Sequence, residues 1–207
     1  MSENPELETV ASHDDVALLG IPVEIDDIGE TLGVEREFLT ALVWAPAPLT
    51  VGVVHALVGG RDRRDGPEVI AVSAPLFYSP DHSDLFRRVI ASVDADDPLT
   101  PAALGAIAAD PDTSTRYRNL LMEIASPNAD SPWPVPSDTD LPALAAAVVD
   151  QWHRRGYRAL LDRMTTVLIE EPSRTLGGHW DALTVHQRAA ETRRSAVVQA
   201  LLSDLNG

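Results

Sequence analysis

The chain has 207 residues, 44% of them hydrophobic, with 16 basic and 32 acidic side chains that give a formal charge of −16 at neutral pH. It can bury one substantial core, and it holds neither cysteine nor lysine, which excludes a disulfide framework, a thiolate metal centre, a cysteine nucleophile and a lysine-bearing phosphate loop. No apolar run approaches the roughly 18 residues that a membrane-spanning helix needs, so no membrane association is expected.

Every basic residue is an arginine, a codon-usage feature of high-GC or salt-adapted genomes that says little about chemistry. Charge is divided unevenly. Residues 1–150 hold 26 acidic and 8 basic side chains, net −18, whereas residues 151–207 hold 6 and 8, net +2. The two parts should attract each other or different partners.

Residues 1–13 are polar and aperiodic and read as a disordered or extended arm that orders only against a partner. The first fifteen residues are acidic where a secretory signal would be basic, which makes the cytoplasm the expected compartment. A main helical domain is expected over 14–126, a proline-rich linker over 127–140 and a C-terminal helical region over 141–207.

Within the first of these, Ile25 to Trp44 places Ile28, Leu32, Val34, Leu39 and Leu42 at apolar positions around Gly33, with the small residue Gly29 where two short helices would cross. This spacing resembles the helix-turn-helix class in general, with Gly33 at the turn and Glu35, Arg36, Glu37, Thr40, Ala41 and Trp44 facing outward. The resemblance implies DNA contact through Arg36 and Thr40. The carboxylates Asp26, Asp27, Glu30, Glu35 and Glu37 oppose it, because they would face a polyanion. Two amphipathic helices packed in a bundle give the same periodicity. On the bundle reading Glu35 and Glu37 are surface residues whose removal leaves stability unchanged.

Pro46 and Pro48 then stop the second helix and extend the chain. Thr50 to Val58 fits either a strand, through Val51, Val53 and Val54, or a buried helix capped by Thr50. Glu68 to Ala74 has stronger strand character. Two strands here would make a small β-hairpin near residues 51–74, with Arg61, Arg63 and Arg64 at a basic tip that suits an anionic partner. Asp62 and Asp65 can equally balance that tip as an ordinary solvated turn.

Helix starts follow at Ser79–Pro80 and Thr100–Pro101, with a further one at Asp112 or Thr113. Prolines 127, 132, 134 and 136 stiffen the linker around Trp133. Leu141 to Ile169 is the longest helical pattern, with Gly156 as its weak point. Pro172, Gly177 and Gly178 separate it from a last helix, Thr184 to Leu205. At spacings of three and four Arg155 shares a face with Arg158, as does Arg154, so that these arginines, with Arg163, form a basic ridge on the long helix that suits acidic protein surface.

Six histidines are present, none at a tight metal spacing. Asp150 with His153, and His179 with His186, could join a site only in three dimensions. No nucleophile elbow, phosphate loop or dinucleotide fingerprint occurs, so neither cofactor nor metal is expected and an enzyme is disfavoured. The expected fold is mainly α, a helical bundle with the small hairpin. The expected function is binding of other protein chains, further copies of this one included, as an adaptor, scaffold or assembly factor in a multi-subunit complex. A helix-turn-helix transcription regulator and an acidic nucleic-acid-mimicking decoy are the alternatives.

Overall fold

A computed structural model describes residues 26–59, 76–127 and 140–203. Seven helices account for most of them: α1 (Asp26–Trp44), α2 (Ala47–Val58), α3 (Pro80–Asp94), α4 (Pro101–Ala109), α5 (Thr115–Ala125), α6 (Leu141–Glu170) and α7 (Leu176–Ser203). No strand occurs among the described residues, so the mainly α expectation holds and the hairpin does not. Residues 51–58, expected as its first strand, belong to α2. Val53, Val54 and Val58 are buried on a helix that the prolines set up, with Pro46 as the residue before α2 and Pro48 in its first turn. Thr50 is not the cap. Its hydroxyl donates back to Leu42 O at 3.0 Å and to Pro46 O at 3.4 Å, fastening the corner between α1 and α2. Gly59 ends α2 at φ 81°, a conformation that favours glycine.

The two short helices expected around Gly33 are one. α1 runs unbroken from Asp26 to Trp44, and Gly33 lies inside it with no positive φ. Continuity changes what the spacing means: Leu32, Glu35, Leu39 and Leu42 now follow at intervals of three, four and three on a single stripe. From Phe38 to Val43 every residue is buried, because α1 is packed by α3, α5 and α6. The chain's three phenylalanines converge on it, with ring centroids of Phe38, Phe77 and Phe86 5.2 to 6.1 Å apart.

The start signals of α3 and α4 are as expected: Ser79 Oγ accepts from His82 N at 3.4 Å and Thr100 Oγ1 from Ala103 N at 3.2 Å. The cap of α5 is Ser114, one or two residues beyond Asp112 or Thr113. Arg118 closes the α4–α5 loop by donating to Ala108 O, Asp110 O and Thr113 O at 2.8 to 3.1 Å.

α6 matches its expected span and continues through Gly156. α7 begins at Leu176, eight residues before Thr184, and passes through Gly177 and Gly178. Thr184 is therefore interior, its hydroxyl donating to Trp180 O at 2.9 Å. α6 and α7 form an antiparallel hairpin whose root lies in the body. Leu141, Ala145, Val148, Val149, Val197 and Leu201 share one core with α1 to α5. Between residues 157 and 190 only Met164 is buried, so beyond the root the hairpin projects as a two-helix arm.

Among the described residues no helix is long and apolar enough to cross a membrane. The expected N-terminal arm over 1–13, the arginines 61, 63 and 64, the second strand over 68–74 and nearly all of the 127–140 linker lie outside the described residues.

Candidate functional site

Where the arm leaves the body, a carboxylate is enclosed. Glu35 is fully buried, in the α1 stripe between Leu32 and Leu39. The start of α3 brings donors to it: Tyr78 N and Ser79 N bond to its two oxygens, the latter at 3.3 Å. His82, also buried, lies with Nδ1 2.8 Å from Oε2, and with an ionised carboxylate as acceptor it donates through Nδ1. From α6, Arg155 Nη1 stands 3.7 Å from Oε1 while Nη2 donates to Leu76 O.

Burial lowers the Arg155 guanidinium below the ordinary arginine value, and the facing Glu35 carboxylate opposes that shift. The cluster thus ties α1, the entry to α3 and α6 together through one carboxylate. A carboxylate–imidazole pair does acid–base work only where a substrate can reach it, and both partners here are sealed in the core.

A second network pins α7 to α6. Arg194 Nη1 donates to Asp150 Oδ1 at 2.7 Å and Nη2 to Glu191 Oε1 at 2.9 Å, while His153 Nε2 lies 3.2 Å from Glu191 Oε2. The hydrogen bond from Arg194 holds the Glu191 carboxyl below the ordinary glutamate range, and the bonds to Glu191 and Asp150 raise the Arg194 guanidinium further. Asp150 and His153, paired on one helical face by spacing, are joined to one network through Arg194 and Glu191. Their partners come from α7.

Past this network the arm carries apolar side chains into solvent. Leu161 is 56% exposed, Trp180 60% and Ile169 80%, and Leu168 and Val185 join them. Beside them, opposite Ala190, the small residue Gly156 opens a groove of about 330 Å³ lined also by Trp152, His153, Tyr157 and His186. A more polar cleft of about 570 Å³ lies between α3 and the α4–α5 loop, with Asp81, Asp84, Arg88 and Asp112 on its walls. Tyr117 closes that cleft, its phenol raised above the ordinary value chiefly by burial, with Arg88 5.9 Å over its ring.

The sequence-derived candidates are only partly brought together. Arg154 and Arg158 are exposed on α6, but Arg155 turns inward to Glu35 and leaves the ridge. Thr40 is buried, bonding to Arg36 O at 2.9 Å, and Ala41 is buried beside it. Arg36 pairs with Glu123 at 2.6 Å. Neither Thr40 nor Ala41 faces outward as the helix-turn-helix resemblance implied, because α1 is a central helix packed on several sides. Of His179 and His186, His186 lines the groove and His179 does not.

Glu35, His82 and the exposed apolar residues of the arm were not singled out by sequence. For Glu35 a signal exists: read as one helix, the 32–35–39–42 spacing puts a carboxylate in an apolar stripe, which requires partners. Comparison with protein-family models, curated proteins and solved structures found no match to this chain.

Proposed function

We propose that this chain is a non-enzymatic protein-interaction protein, an adaptor, scaffold or assembly factor, that engages other protein chains through the outer part of the α6–α7 arm. One observation carries the reading: Leu161, Leu168, Ile169, Trp180 and Val185 are all exposed on a single projecting hairpin. Scattered apolar residues are ordinary on any surface, but several gathered on one projecting element mark a contact surface. Trp180 is of the type that anchors interfaces, and Arg154 and Arg158 supply a charged border. The Glu35 cluster and the Asp150–Glu191–Arg194 network hold the root of the arm, so the surface is presented on rigid helices. The regulator alternative has no comparable support, since Thr40 is buried and Arg36 is engaged by Glu123.

The test is capture from native lysate by the full chain and by a Leu161→Glu, Leu168→Glu variant, with both protein and nucleic acid analysed. The wild type should retain specific proteins that the variant loses. Retention of nucleic acid as the main species would favour the regulator, and equal capture by both chains would remove the arm from the reading.

A further inference from the structure

We infer that His82 and Arg155 compete for the one Glu35 carboxylate, so that protonating His82 releases Arg155 and loosens the arm from the body. The device goes beyond the reading above and holds whatever the arm binds. Its parts come from three elements: Glu35 from α1, His82 from α3 and Arg155 from α6. His82 Nδ1 lies 2.8 Å from Oε2 and Arg155 Nη1 3.7 Å from Oε1, while Tyr78 N and Ser79 N bond to the same two oxygens. With a neutral imidazole the set holds one negative and one positive charge and is balanced. A proton on Nε2 puts a second positive charge against a single carboxylate, and an enclosed charge without a counter-charge is costly.

The two cations are not equally free to leave. The His82 side chain is 9% exposed, bonded to Oε2 and packed edge-on against Phe77 with centroids 6.5 Å apart. Arg155 is 27% exposed, and its Nη1 makes no hydrogen bond among the described residues. Burial also works against its charge. Arg155 is therefore the member that turns to water when the set carries one charge too many. The charged groups beside the set are committed elsewhere or face solvent: Asp81 on α3 is engaged by Arg116 of α5 and Arg36 on α1 by Glu123, each at 2.6 Å, His153 on α6 lies against Glu191, and Arg154 is exposed.

Release matters at this position because of what lies on either side of it. Arg155 also donates to Leu76 O, so it fastens α6 to both α1 and the entry to α3. Inward from it the next fully buried residues of α6 are Val148 and Val149, and between 157 and 190 only Met164 is buried. Without Arg155 the arm is held about two turns nearer its root.

Competition of this kind is reciprocal. If the imidazolium expels Arg155, the Arg155 charge must oppose protonation of His82 by the same factor. NMR of the His82 imidazole should therefore show its titration midpoint about one pH unit higher in Arg155→Gln than in wild type, a tenfold gain in proton affinity. In wild type the order parameter of the Arg155 Nε–H should fall from about 0.8 to below about 0.6 between about pH 7.5 and about pH 5.5, the window in which histidine changes charge. Spin labels on Ala102→Cys and Arg174→Cys, both exposed positions in a chain without cysteine, should give a distance distribution at least about twofold broader at the acid end of that window. His82→Asn keeps a donor for Oε2 but cannot become charged, and should abolish both pH responses.

Equal His82 midpoints in wild type and Arg155→Gln overturn the inference. So does an Arg155 order parameter or a label distance that is the same at both pH values, and so does a pH response that survives in His82→Asn. The comparison of midpoints decides the matter even where His82→Asn does not fold.

Discussion

Glu35 is fully buried, and its carboxylate is faced by Tyr78 N, Ser79 N, His82 and Arg155. Truncating one member of such a buried set leaves the others without a partner, which typically costs about 3 to 5 kcal/mol. Glu35→Ala should therefore lower unfolding stability by that order, whereas Glu37→Ala, outside the cluster, should change it little. Glu35→Gln keeps one acceptor oxygen but turns an amide NH₂ towards donors, and should fall between them. Urea denaturation measures all three, and a loss below about 1 kcal/mol for Glu35→Ala would mean that the carboxylate is not enclosed. That a single residue differs so far from its sequence-level expectation has a plain cause. Gly33 is a turn residue by type, yet it lies inside a continuous α1 that α3, α5 and α6 pack around. Once a turn is assumed, Glu35 rotates to the outside.

At the scale of elements, the starts of α3 and α4 and the span of α6 are legible in the sequence. Ser79–Pro80 and Thr100–Pro101 specify helix starts through their own side chains and backbone angles, and α6 announces itself by periodicity over many turns. Elements whose conformation depends on distant packing are not legible locally: the valines of α2 fit strand and helix alike, and the glycine pair in α7 and the direction of Arg155 differ from expectation. The pairing of α7 with α6 leans on long-range ion pairs that no spacing shows. Glu191 is the titrating member. Its folded value lies below the ordinary 4.5, so its contribution is present above that value and is lost as pH falls through the lower folded one. Glu191→Gln should thus be less stable than wild type at neutral pH, with the gap closing in acid. A gap that stays constant from neutral pH down to about pH 3 would show that the pairing adds nothing to stability.

On the scale of the molecule, the body and the arm are unequal: a core common to all seven helices, and a hairpin that leaves it and returns. Both strokes of that hairpin are anchored at the root, α6 by Leu141, Ala145, Val148 and Val149, α7 by Val197 and Leu201. The bend between them, Glu171 to Arg174, is exposed and carries no core residue. Covalent continuity at the tip is consequently dispensable for holding the two helices together. Trypsin cutting after Arg174 should leave two fragments that travel as one species on a sizing column and separate only in denaturant. Separation under native conditions would show that the root does not hold. By the same logic the tip is a place where the chain can be opened by design: a reporter domain spliced between Pro172 and Arg174 should fold there without unfolding its host, and would travel wherever the arm docks.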